Sequence, residues 1–159
     1  MALTTEQLHV FRAALLAETD PDLVFRRDNG QAGRVAEWYN QVGANAPIVW
    51  KTSLQLEEIT SNGFDWVRVD NLSVGKARIW EWMRLSLVLN CGIANIRQGL
   101  NDAFSATTST KLAVLAVIKR DATRAEEMFS TGTGSDGSPG TMTFVGNVTD
   151  MDVELALKG

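Results

Sequence analysis

Trp80 and Trp82 stand two residues apart in the middle of the strongest helical stripe in the chain. From Ser73, a residue able to cap a helix, Ile79, Met83 and Leu87 recur at four-residue spacing, and Trp80 and Val88 widen the stripe. This predicts one helix from Ser73 to Leu89, ended by Asn90 and Gly92. On an ideal helix the two rings lie about 200° apart. They point to different sides, so one of them meets a second packing surface. All five Trp of the chain fall between Trp38 and Trp82. We assign Trp50, Trp66 and Trp80 to the core, and Trp38 or Trp82 to contact with a neighbouring molecule.

Elsewhere the pattern is again helical, with breaks marked by Gly, Pro and capping residues. Thr4 and Gln7 are spaced as a capping box ahead of Leu8, Phe11 and Leu15, which predicts a helix ending near Thr19. Asp20–Pro21 opens a second short segment. RRDNGQAG reads as a loop, and VAEWYNQ as the later turns of a helix that stops before Gly43. Ile48–Trp50 is a strand or an extended piece laid across helices. KTSLQLEEIT is predicted helical with a cap at Thr52 or Ser53, whereas FDWVRVD alternates only partly like a strand. Asn95 is expected to cap IRQGLNDAF. A helix then follows the Ser/Thr cluster at 105–110, with Leu112, Leu115, Ala116 and Ile118 apolar, and runs on to Phe129 or bends near Asp121.

The last thirty residues differ in character. STGTGSDGSPGT carries no apolar side chain over a dozen positions, so 130–141 is predicted to be a long polar loop. A short strand around Met142 and Phe144 follows, then a final helix capped by Thr149 or Asp150. A lone strand has unpaired backbone on both edges, so this one requires VWK, VRV or another subunit as its partner. The expected architecture is mainly α: one compact multi-helix domain over 1–159, with a small β element near the C-terminus and the Gly/Ser/Thr loop.

At 159 residues and 45% hydrophobic side chains, such a domain needs no disulfide or metal to hold its shape. One Cys and one His exclude an intrachain bridge, a Cys/His zinc site and an HExxH motif within a single chain. The net charge of -4 argues against a broad phosphate footprint, and no apolar run reaches membrane-spanning length. Nothing at the N-terminus reads as a secretory signal, so the cytoplasm or a particle assembled there is expected.

Candidate catalytic groups give way to plainer readings. The pairs Glu57/Glu58, Glu126/Glu127 and Asp150/Asp152 read as solvated surface, because neighbours on a helix do not share a face. His9 reads as structural or exposed, and Cys91 as a buried thiol with no acid–base partner nearby. GTGSDGSPGT has clustered glycines, but it lacks the Lys of a phosphate-binding loop, and Asp136 is its only acid, too few for calcium. The basic doublets Arg26–Arg27 and Lys119–Arg120 are not joined to the Trp-rich middle, so no sequence-specific nucleic-acid site is expected. No catalytic, cofactor or metal residue is assigned.

Three combinations carry a family likeness: NIRQGLNDAFS at 95–105, KRDATRAEEMFSTGTGSDGSPGTMTFVG at 119–146, and the middle WYNQ with VWKTSL. Over most of 35–157 the chain resembles a family of small proteins encoded among tailed-phage and prophage structural genes. The resemblance implies Arg97, Arg124 and Glu126 as signature residues, together with Gly132 and Gly134 in the loop. With Trp38, Trp82 and Phe144 they make up the assembly candidates. It also implies a non-enzymatic virion component, a head–tail adaptor or connector assembled in the host cytoplasm. Such a subunit would form a homo-oligomeric ring and meet portal or tail components, with no cofactor and no membrane. A tail terminator or head-decorating protein is the alternative within that class, and a small anion-binding enzyme the alternative outside it. Ser130–Thr141 would be mobile in the monomer and ordered by assembly. Arg97 and Arg124 would each pair with a carboxylate, Glu126 or Asp102 being candidates.

Overall fold

The Thr4 side chain accepts a hydrogen bond from the Gln7 N–H, while the Gln7 side chain accepts one from the Thr4 N–H. Helix α1 (Thr5–Ala17) starts on this reciprocal cap, as its spacing predicts. In the computed structural model of the protein, residues 2–61, 64, 66–104, 114 and 116–159 are described, apart from the side chain of Arg68. The fold is α-dominated, with short strand pairs between the helices. Where the composition predicts one domain, the chain divides into two compact units: Met1–Val49 with Asp121–Gly159, and Trp50–Arg120. Each has its own apolar core.

In the first unit, Asp20 caps α2 (Pro21–Asp28) through the N–H groups of Asp22 and Leu23. Helix α3 (Ala32–Tyr39) begins only three residues after α2 ends. RRDNGQAG is therefore mostly helical rather than a loop. Gly30, at φ 69, makes the reversal in one left-handed step, which leaves Arg26, Arg27 and Asp28 free to complete the last turn of α2. Strand β1 (Ile48–Trp50) settles the open reading of that short apolar run. Phe11 and Leu15 of α1, Leu23 of α2, and Val35 and Tyr39 of α3 meet Phe129, Phe144 and Val153 from the C-terminal part of the chain. The Phe11 and Tyr39 rings touch edge to face at 5.0 Å. Asn40 fastens the end of α3, its side chain both donating to the Val148 carbonyl and accepting from the Val148 N–H, each at 2.9 Å.

In the second unit, β2 (Leu54–Gln55) leads directly into α4 (Leu56–Ser61), and α5 (Trp66–Asp70) follows. The helix predicted over KTSLQLEEIT thus starts later than a Thr52 or Ser53 cap would place it, because Leu54 and Gln55 are taken into a sheet. FDWVRVD is helical from Trp66 onward, and Trp66 is 54% exposed, so it is not a core residue. Helix α6 (Val74–Leu85) starts after Ser73, as expected, although the Ser73 side chain makes no capping bond.

Helix α6 then stops four residues short of the predicted Leu89. Leu87 takes φ 51, and the Val88 N–H donates to the Ser86 carbonyl across it. The chain is thereby turned into β3 (Val88–Leu89), which pairs antiparallel with β2, Leu54 opposite Leu89. A left-handed conformation costs a residue with a side chain about 1–2 kcal/mol. The strand pairing and the burial of Leu89 offset that cost, and neither is visible in a helical period. Helix α7 (Ala94–Ala103) starts after Ile93, two positions before the expected Asn95 cap; Asn90 instead accepts from the Gly92 N–H.

Phe64 and Trp80 stack at 5.5 Å, and Phe104 meets both edge-on at 5.5 and 5.0 Å. This aromatic cluster is the centre of the second core, with Leu54, Ile59, Met83, Leu100 and Ile118 around it. The Ser/Thr cluster and the start of the helix expected after it, including Leu112 and Leu115, lie outside the described residues.

The continuous helix to Phe129 is interrupted where a bend near Asp121 was the alternative. Strand β4 (Lys119–Asp121) pairs with β1, and α8 (Arg124–Met128) restarts on a capping box between Thr123 and Glu126. In place of a free loop, 130–142 forms a hairpin. Strand β5 (Ser130–Thr131) pairs with β6 (Thr141–Met142), so the C-terminal strand finds its partner a few residues upstream. Val49, from the expected VWK piece, adds a single bridge to Gly140. The final helix α9 (Asp150–Lys158) begins on Thr149, with Asp152 completing the box.

Candidate functional site

Arg97 stands in the first turn of α7. Its Nη1 donates to the carbonyls of Cys91 at 2.6 Å and Gly92 at 2.9 Å, and its guanidinium lies 4.6 Å from the centre of the Trp50 ring. In the other unit, Arg124 begins α8, donates to the Trp38 carbonyl at 3.1 Å and lies 4.1 Å over the Trp38 ring. Arg97 and Arg124 therefore share one device, a planar cation held between main-chain carbonyl oxygen and an indole face. The carboxylate partners expected for them are engaged elsewhere. Asp102 accepts from Gln98, and Glu126, which reads from the sequence as solvated surface, is instead buried in the α8 cap, accepting from the Thr123 N–H.

These contacts fix the chain rather than present a charge. Replacing Arg97 with Met is expected to cost about 2 kcal/mol, since two carbonyls lose a charged donor. Arg97→Lys should recover less than half of that, because an ammonium cannot fork and stack together. Urea unfolding of the three proteins checks both values.

Each arginine borders a hollow. Trp50, Arg97, Leu100, Phe104 and Ile118 line one of about 340 Å³, and Trp38, Tyr39, Gly43, Arg124 and Glu127 line one of about 480 Å³. Neither brings a nucleophile beside a base. Burial pushes the Cys91 thiol up to about 11, so it stays protonated at neutral pH, and His9 is exposed on α1. Burial, followed by the Glu18 charge, holds Tyr39 at about 12. Among the described residues, no three His, Cys, Asp or Glu side chains are grouped as metal ligands, and no helix is long and apolar enough to cross a membrane.

Gly132 and Gly134 have conformational reasons to be glycine, at φ 101 and 64. The Gly134 carbonyl accepts from the Ile48 N–H at 2.7 Å, and the Gly140 N–H donates to the Ile48 carbonyl at 2.8 Å. A Cβ on Gly134 would come within 3.2 Å of Pro47 Cα. Gly134→Ala is expected to cost about 2 kcal/mol through strain and this collision, read as a lower urea midpoint at unchanged slope. Gly134 and Gly140 thus each bond to the backbone of Ile48.

The remaining candidates separate by exposure. Phe144 is buried in the first core, 5.5 Å from Phe129, and serves the fold. Trp38 is half-buried against Tyr39 and Arg124 rather than projecting, and Trp50 is half-buried under Arg97. Trp80 is buried and Trp82 is 61% exposed, dividing as their spacing predicts. Around Trp82 the surface carries further apolar side chains: Val74 and Leu85 on α6, the latter 80% exposed, which no sequence signal singled out, and Leu87 and Val88, which the spacing placed in the helical stripe and which the turn at Leu87 leaves exposed instead. No known protein family, curated protein or solved structure matches this chain.

Proposed function

We propose that the protein is a structural component of a tailed-phage or prophage virion, a head–tail adaptor or connector subunit that acts by assembling with its own copies and with portal or tail components. The observation that carries the self-assembly is the run of exposed large apolar side chains at 74, 82, 85, 87 and 88, in contrast with the well-filled core beneath α6. Exposed apolar surface of this kind marks a place that another surface covers. The place in the virion rests on the resemblance alone, carried by 95–105, 119–146 and the middle WYNQ with VWKTSL.

Mass measurement and negative-stain imaging of the purified protein, alone and mixed with portal or tail subunits, test the proposal. Closed rings, or a stable complex with those subunits, are the expected result. A protein that stays monomeric and binds neither overturns it. Duplex binding with a steep salt dependence would replace it with a nucleic-acid role.

A further inference from the structure

We propose that the hollow beside Arg97 is a binding site for a small apolar carboxylate, a single acid group carried on an aromatic or branched hydrocarbon body. The site stands apart from the assembly role and needs no second copy of the chain. It lies within the 50–120 unit and encloses about 340 Å³. Small-molecule pockets commonly hold about 300–1,000 Å³. Leu100, Phe104, Val114 and Ile118, each at most 3% exposed, make its floor. Water against these side chains finds few hydrogen-bond partners, so an apolar group that displaces it gains affinity.

Arg97 supplies the polar end. The Nη1 bonds to the Cys91 and Gly92 carbonyls and the contact with the Trp50 ring hold the guanidinium in place, but they bring no negative charge to it. Among the described residues nothing accepts from its Nε or Nη2, and no carboxylate pairs with it. Two acids of the same unit, Glu58 and Asp102, are engaged by Lys51 and Gln98. A half-buried cation without a counter-ion favours an anion beside it, and the Nε–Nη2 edge of a guanidinium matches the two oxygens of a carboxylate.

One cation beside an apolar floor selects the class of ligand. Phosphate or a dicarboxylate would set further charge against Leu100 and Phe104, where nothing replaces its hydration. An amine would meet Arg97 as a like charge. A monocarboxylate with a hydrocarbon body suits both ends at once. Ala94, Gln98 and Asn101, exposed and spaced along one face of α7, form the rim through which it would enter. Such a group is carried by a free acid or by the last residue of a peptide chain.

Phenylacetate, phenylacetamide and acetate, titrated into the full chain, test this through the indole N–H resonance of Trp50. Phenylacetate should shift that resonance saturably. The amide, which lacks the charge, and acetate, which lacks the ring, should each bind about tenfold more weakly or worse. Asn101→Asp places a negative charge on the exposed rim while keeping Arg97 and the floor, and unchanged melting confirms its fold. It should weaken phenylacetate about fivefold and leave the amide unaffected. Arg97→Lys, checked for fold in the same spectra, should lose most of the binding. A short peptide ending in phenylalanine, its C-terminus free or amidated, separates the two sources: preference for the free-ended peptide assigns the site to a chain terminus, and phenylacetate binding without it assigns the site to a free acid. Equal binding of acid and amide, no saturable shift at Trp50, or an Asn101→Asp variant that binds phenylacetate like the wild type overturns the site and leaves the virion role standing.

Discussion

Replacing Phe104 with alanine is expected to destabilise the 50–120 unit by about 4 kcal/mol, in the upper part of the range for a buried aromatic. The ring is almost fully buried, contacts Phe64 and Trp80, and also walls the 340 Å³ hollow beside Arg97. Truncation joins the space it leaves to a space already present, and the two fixed aromatic neighbours limit how far the site can collapse. Hydrogen exchange is the informative measurement, because Phe11, Tyr39 and Phe129 form a separate core in the other unit. Protection should fall sharply over 50–120 and be retained around α1 and α3. An equal fall in both units would show that they unfold as one.

Asp152→Ala should have the second largest effect, about 3 kcal/mol. This carboxylate is only 2% exposed. It accepts from the Leu3 N–H at 3.2 Å, from the Thr149 N–H at 2.9 Å and from the Thr149 hydroxyl at 2.8 Å. One side chain thereby fastens the N-terminal segment to the cap of α9, and its loss leaves buried donors without acceptors.

Burial by itself would raise the pKa of Asp152, but the Thr149 and Leu3 hydrogen bonds outweigh it and hold the carboxyl below its usual value. A depressed folded-state pKa means that the stabilisation is complete above the unfolded value, near about 3.9, and disappears as pH falls through the folded value. Urea midpoints followed from neutral pH into this acid range should drop in the wild type. The drop should be shallower in Asp152→Asn, which has no such proton to bind.

What could be read from the sequence was what neighbouring residues impose on one another. The box at Thr4/Gln7 lies within a single helical turn, and the opposed directions of Trp80 and Trp82 follow from helical geometry; Thr149 was legible as a cap, but Asp152, read with Asp150 as solvated surface, is buried as the other half of its box. The errors occur where distant segments intervene. Strand β2 draws Val88 and Leu89 out of the α6 period, and β1 pairs with β4 where the sequence left open whether the helix ran on or bent near Asp121. Gly30 compresses a predicted eight-residue loop into a short reversal. For Arg97 and Arg124 the residues were identifiable, but their partners are carbonyl oxygens, which every residue has and no side-chain pattern announces.

The chain leaves the first unit within β1 and returns to it within β4, and these two strands are paired. Backbones in adjacent strands lie about 5 Å apart, which a tight turn can span. Residues 50–120 therefore leave and rejoin the path of the first unit at one strand pair, as a long connection between β1 and β4. Its surface can change, or the whole connection can be exchanged for another, without altering the path of the chain through α1, α3 and α9.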